Sequence, residues 1–185
     1  MGSGMSKIAD GLYLGNIRDS EDKDSLVKNG VTHILSVHNN ARAKLEDMTY
    51  LCIAASDSSN QNLLAGISRS TTILVAYLMT VTGFGWEECL SAVKAVRSYV
   101  FPNLGFQQQL QEYEMTLLKE YRMWLRLEYG RSPFNDEENV RRLISQQEEK
   151  EKLLGTRNHY INQPRADYSL PYKAYGSSGD RWASR

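Results

Sequence analysis

Apolar residues recur along this chain with two different periods. Leu12-Tyr13-Leu14 is a short apolar run closed by Gly15-Asn16 and predicts a strand. Asp19 to Lys28 is polar, with Leu26 and Val27 as inward contacts, and predicts a helix stopped by Asn29-Gly30. Val31 to Val37 is rich in β-branched residues and predicts a buried strand; Met48 to Ile53 predicts another. The segment from Ala54 to Asn62 is small and polar, a loop. The period then lengthens. Ser70 to Val81 is apolar on most faces, the pattern of a helix buried in a core. Gly83-Phe84-Gly85 breaks it, Trp86 to Arg97 is a further helix, and Phe101-Pro102-Asn103 is a turn. Gly105 to Tyr129 carries Phe106, Leu110, Tyr113, Leu117, Tyr121 and Trp124 at helical spacing and predicts one long amphipathic helix. Strands alternating with helices, followed by helices alone, give an α/β domain with a central sheet flanked by helices.

Pro133 marks the end of that domain, which takes in residues 1–132. Residues 133–154 form a charged extension, helical from Asp136 to Leu154. Residues 155–185 are rich in Gly, Ser, Pro, Asn and Arg and read as a disordered tail, with Tyr160, Tyr168, Tyr172 and Tyr175 as candidate phosphorylation positions.

Composition narrows the function classes. The 22 Lys and Arg residues balance 22 Asp and Glu, so no global field draws the chain to nucleic acid. Two cysteines, Cys52 and Cys89, make no disulfide framework, which points to a reducing, cytoplasmic setting. Cys52 lies mid-strand and Cys89 on a helix, and both read as buried, inert thiols. His33 and His38 flank a strand and take core or rim positions; no paired His, Cys or Asp spacing suggests a metal, and no cofactor is implied. The longest apolar run, Thr72 to Val81, falls short of the about 20 residues that span a bilayer, and the start of the chain lacks the apolar core of a secretory signal. Met1-Gly2-Ser3-Gly4-Met5-Ser6 fits the motif for N-myristoylation of Gly2, against the competing reading of a flexible Gly-Ser start. Lys7 is the lone nearby base, so any such anchoring is weak and reversible.

The candidate chemistry lies at Ala65-Gly66-Ile67-Ser68-Arg69-Ser70-Thr71-Thr72, just before the apolar helix. A loop of the form Cys-x-x-x-x-x-Arg suits phosphoester hydrolysis. Backbone N–H groups and a helix N-terminus hold a dianion, and arginine forks onto its oxygens. A thiolate attacks phosphorus, a hydroxyl after the arginine helps it leave, and a neighbouring aspartate protonates the departing alcohol. Here Gly66, Ile67, Ser68 and Arg69 supply the phosphate-binding cradle and fork, Ser70 the hydroxyl, and Asp57 the general acid. The cysteine is missing: Leu63 stands in its place. On spacing alone, a plain helix N-cap at Ser68 or Ser70 competes with this reading.

At these residues the chain resembles the atypical dual-specificity protein phosphatases of the cysteine-based tyrosine phosphatase superfamily, and within them a small myristoylated subgroup linked to JNK signalling. The resemblance rests on Met1 to Met5, Gly11-Leu12-Tyr13-Leu14-Gly15-Asn16, Val31-Thr32-His33-Ile34-Leu35-Ser36-Val37-His38, Ala65 to Thr72, Tyr77 to Thr82, and Pro102-Asn103-Leu104-Gly105-Phe106-Gln107. It covers about the first 130 residues and not the tail. It implies a phosphatase fold, phosphoprotein partners including MAP-kinase pathway components, a monomer, and myristoylation of Gly2 with partial membrane association.

The chain departs from the family at one place. The family has His-Cys-x-x-Gly-x-x-Arg-Ser, whereas here the residues are Asn62-Leu63-Leu64-Ala65-Gly66-Ile67-Ser68-Arg69-Ser70. Roughly two dozen residues are absent between Asn62 and Leu64, enough for one helix and the central strand, and the flanks stay in register. Geometry gives the same answer: an acid loop and a phosphate loop at one end of a parallel sheet are joined by a crossover of a dozen or more residues. Only Ser58 to Ala65 separate Asp57 from Gly66. Neither other cysteine has an arginine six residues on: Ser58 follows Cys52 and Ala95 follows Cys89. Three readings follow: a catalytically dead form that binds phosphoproteins or competes for them, an active phosphatase with an unforeseen compensation, and a poorly folded product of a lost exon or faulty gene model.

Overall fold

The computed structural model describes residues 4–55 and 68–161, with the backbone alone for 156–161. Its elements alternate as α/β. A hairpin of β1 (Ser6–Ala9) and β2 (Leu12–Leu14) leads to α1 (Lys23–Lys28). Then come β3 (His33–Val37) and β4 (Thr49–Ile53), followed by five helices: α2 (Arg69–Val81), α3 (Trp86–Val96), α4 (Leu104–Thr116), α5 (Leu118–Tyr129) and α6 (Asp136–Ile161). The core gathers around α2, whose Val75, Leu78 and Met79 are fully buried beside Val93 of α3 and Leu110 of α4.

Instead of one central sheet, the described residues form two sheets of two strands each. β1 and β2 are antiparallel, joined through Gly11 at φ +74°. β1 was not foreseen, because Ser6-Lys7-Ile8-Ala9 is short and carries a register shift between Lys7 and Ala9 that masks its alternation. β3 and β4 are parallel, with His33 opposite Thr49 and Val37 opposite Ile53.

Several bounds and burial expectations change. The first helix begins only at Lys23, where Asp22 caps it by accepting from the Ser25 N–H at 3.1 Å. The strand over Val31 to Val37 is only half buried: Ile34 and Val37 are inside, but Leu35 is 45% exposed. On β4, Leu51 is 64% exposed and Cys52 is exposed too, so the expectation of a buried Cys52 is overturned. The physical reason is that no described element lies over this part of the β3–β4 pair.

The helix expected over Gly105 to Tyr129 is broken at Leu117, which closes α4 and opens α5. The break turns Leu118 inward, leaves Leu117 exposed, and brings Arg122 to the end of α2. There its Nε donates to the Met79 carbonyl at 2.9 Å and its guanidinium also to the Phe84 carbonyl at 2.8 Å, satisfying acceptors at a helix C-terminus.

The charged segment after Pro133 is helical as far as Ile161, so the first residues expected in the tail are helix. It does not project away. Val140 and Leu143 join the core, Glu137 accepts from the Gly83 N–H at 2.7 Å, and Lys150 donates to the Ala95 carbonyl at 2.6 Å. Residues 162–185 lie outside the described residues.

Candidate functional site

α2 begins where β3 and β4 end. Ser68 is its N-cap residue, yet the Ser68 side chain does not cap its own helix. Its hydroxyl accepts from the Asn103 N–H at 3.1 Å, while Asn103 caps α4 by accepting from the Phe106 N–H at 2.9 Å. The starts of α2 and α4 are thereby tied together. The competing N-cap reading holds for Ser68 by position but not by bonding. Thr72 donates its hydroxyl to the Ser68 carbonyl at 2.7 Å and closes the first turn.

Arg69 is the first residue of α2 and only 7% exposed. Its guanidinium donates to Asn39 Oδ1 at 3.0 Å and to the Ala55 carbonyl at 2.7 Å. Asn39 follows β3 and Ala55 follows β4, so one side chain clamps both strand ends to the helix start. Neither partner was foreseen. Asn39-Asn40 directly after an apolar strand was the available signal for the first; a backbone carbonyl leaves no sequence signal. Ser70 sits half-buried in the first turn. Ser68, Arg69 and Ser70 stand together at the start of α2; Gly2, Asp57, Leu63, Gly66 and Ile67 lie outside the described residues.

Neither cysteine stands at this place. Cys52 precedes Ala55 by three strand-like steps, roughly 10 Å at the rise of a β-strand. Cys89 is fully buried on α3, where burial pushes its thiol up to about 12, so it carries no thiolate at neutral pH. His33 and His38 are rim residues held locally: His33 Nδ1 lies 2.9 Å from the Thr32 hydroxyl, and His38 Nδ1 accepts from the Asn40 N–H at 3.2 Å. Among the described residues, no helix is long and apolar enough to cross a membrane.

Beside Arg69 opens a cleft of about 610 Å³. It runs between the β1–β2 hairpin and β3, against α2, and Ser70, Ile73 and Tyr77 line it.

The chain as a whole has close relatives. Dual specificity protein phosphatase 22-A of Danio rerio is 53% identical over 206 residues, covering 97% of this chain and 99% of that protein. The chain belongs to the dual-specificity protein phosphatase family. The family profile described as dual specificity phosphatase, catalytic domain, matches residues 63–116, which hold Arg69 and run through α4. Dual specificity protein phosphatase 22 of Homo sapiens is 48% identical over 170 residues, covering 78% of this chain and 92% of that protein. Among solved structures, DUSP15 superposes with a TM-score of 0.64 at 40% identity, covering 71% of this chain and 100% of that one. The human tyrosine phosphatase-like serine/threonine/tyrosine-interacting protein superposes at 0.54 with 28% identity, covering 62% of this chain and 97% of that one. The α/β fold is thus that of the family, with two 2-stranded sheets among the described residues.

Proposed function

We propose that this dual-specificity phosphatase family member binds phosphoproteins without hydrolysing them, as a competing form in JNK-type kinase signalling. One observation carries the reading: an arginine is fixed at the start of α2, and neither of the chain's two cysteines accompanies it. A covalent phosphatase without its nucleophile loses nearly all turnover, while the arginine and helix N-terminus keep their affinity for a dianion. Arg69, Ser68, Gly66 and Ile67 are the holding groups in this account. Ser70 and Asp57 are remnants of the steps that free the thiolate and protonate the leaving group.

Alignment lengths support a lost segment. The match to the Danio rerio relative extends over 206 positions, more than the 185 residues of the whole chain. The family profile begins at residue 63, beside the expected break. A fold relative named as phosphatase-like and interacting supports a role in binding. Myristoylation of Gly2 would give this form a weak, partial membrane association from the cytoplasm. A poorly folded product is favoured by the exposure of Leu35, Leu51 and Ile53 on the small sheet.

A labelled phosphotyrosyl peptide tests the reading by fluorescence anisotropy, with free phosphate assayed in the same sample and a thermal melt beside it. Saturable binding, weakened at least tenfold by Arg69→Lys, is expected with no phosphate released and a cooperative melt. Phosphate release would restore the reading of an active enzyme, and absence of both binding and a cooperative melt would favour the misfolded product.

A further inference from the structure

Residues 126–135 are all exposed, and 130–135 belong to no helix or strand. The residues themselves keep this loop open. Gly130 closes α5 at φ +73°, its N–H donating to the Arg126 carbonyl at 3.0 Å. Pro133 has no N–H, so it fits neither a helix interior nor the middle of a sheet. Helix resumes where the Asn139 N–H donates to the Asn135 carbonyl at 2.9 Å, and Asp136 and Val140 are buried there. The loop is pinned at both ends and bare between them.

Ser132 stands within this loop, directly before Pro133. A residue before proline is held in extended backbone. The Ser132 hydroxyl accepts from the Phe134 N–H at 3.2 Å. That bond uses an oxygen lone pair and leaves the hydroxyl proton available for donation. An accessible serine, extended chain around it and a following residue without an N–H are what a proline-directed protein kinase takes. The match is specific within the chain, because the other prolines, Pro102, Pro164 and Pro171, follow Phe101, Gln163 and Leu170.

We propose that Ser132 is a phosphorylation site for a proline-directed serine/threonine kinase, and that the phosphate loosens the seating of α6. In the transfer, Ser132 Oγ bonds to the terminal phosphorus of ATP and the bond from that phosphorus to the bridging oxygen breaks. ADP leaves, and the hydroxyl proton passes to a carboxylate of the kinase. The new group carries about −1.5 to −2 charges near neutral pH. Two forces of opposite sign meet it. The N-terminus of α6 attracts an anion with roughly half a charge. Asp136, Glu137 and Glu138 fill the first turn and repel it. The exposed pair, Glu137 and Glu138, already outweighs the dipole, so repulsion wins. It falls on Glu137, which seats the helix by accepting from the Gly83 N–H at 2.7 Å. The inference stands apart from the phosphate-binding reading, since it uses neither Arg69 nor the cleft.

The test incubates the full chain with ATP, magnesium and a cyclin-dependent kinase, beside a synthetic peptide of residues 126–138. Intact mass is expected to show one added phosphate on the chain, and peptide mapping to place it on Ser132. Ser132→Ala should abolish the addition, and Pro133→Ala should slow it about tenfold or more although the serine remains. At low salt the phosphorylated chain should melt about 2 °C below the unmodified one, and the gap should shrink at high salt. No phosphate on the chain would overturn the site, through concealment of the loop if the peptide is modified and through its sequence if it is not. Addition that survives Ser132→Ala, or that is indifferent to Pro133→Ala, would overturn it as well. An unchanged or higher melting temperature would overturn the loosening of α6.

Discussion

Arg69 is the residue on which the proposed function rests. Its position was legible from Gly66-x-x-Arg69-Ser70 before an apolar helix, because that spacing is local. Its partners were not, because Asn39 is 30 residues away and Ala55 contributes only a carbonyl. Arg69→Ala removes two charge-assisted hydrogen bonds at a buried position and is expected to cost about 2 to 3 kcal/mol in urea unfolding; a change below about 0.5 kcal/mol would show that the clamp is idle. The cysteines invert one expectation and keep the other. Cys52 is exposed and Cys89 buried, so one thiol should react at once with an aromatic disulfide reagent and the second only on unfolding. Two fast thiols would contradict the packing of α3. Asp136, at the start of α6, is 5% exposed and hydrogen-bonded to Tyr77. Burial holds its carboxyl above the ordinary carboxylate pKa, with Asp10 adding repulsion and Tyr77 opposing. The folded chain therefore keeps this proton more tightly than the unfolded one, and the group's contribution to stability falls as the pH rises from near 3.8 through the raised folded pKa. Asp136→Asn should flatten that part of the stability–pH curve, and an unchanged slope would remove the carboxyl from the account.

At the scale of elements, the helices followed from their patterns and the strands only in part. α2 is apolar nearly all round and its burial was plain from that alone. The break at Leu117 was not, since apolar spacing continues through it and the deciding contacts come from Arg122 on the carbonyls of Met79 and Phe84. α6 carried a signal among its charges: Val140, Leu143 and Ile144 lie at helical spacing, and the first two are core residues. A charged extension independent of the core would tolerate Leu143→Ala. Packed as it is against the core cluster, Leu143→Ala should cost about 2 to 4 kcal/mol in chemical denaturation. A loss under about 0.5 kcal/mol would return α6 to the status of an appendage.

At the scale of the whole molecule, the fold is the α/β fold of the family, and the described strands form two separate pairs. Two paired strands lie on each side of an open cleft, and apolar residues of the second pair face water. The sequence pattern announced a buried strand over Val31 to Val37 and another strand over Met48 to Ile53. It could not announce which strands would find neighbours, because pairing depends on residues far away along the chain. The segment loss proposed above would join structure to function, since a strand leading into the phosphate loop would also position the nucleophile. Restoring a thiol alone should therefore restore nothing. The most direct measurement is product release from a small aryl phosphate at protein concentrations above that of substrate, for the unaltered chain, Leu63→Cys and Arg69→Ala. The account expects no release from any of the three beyond buffer. Release by the unaltered chain or by Leu63→Cys that Arg69→Ala abolishes would contradict it.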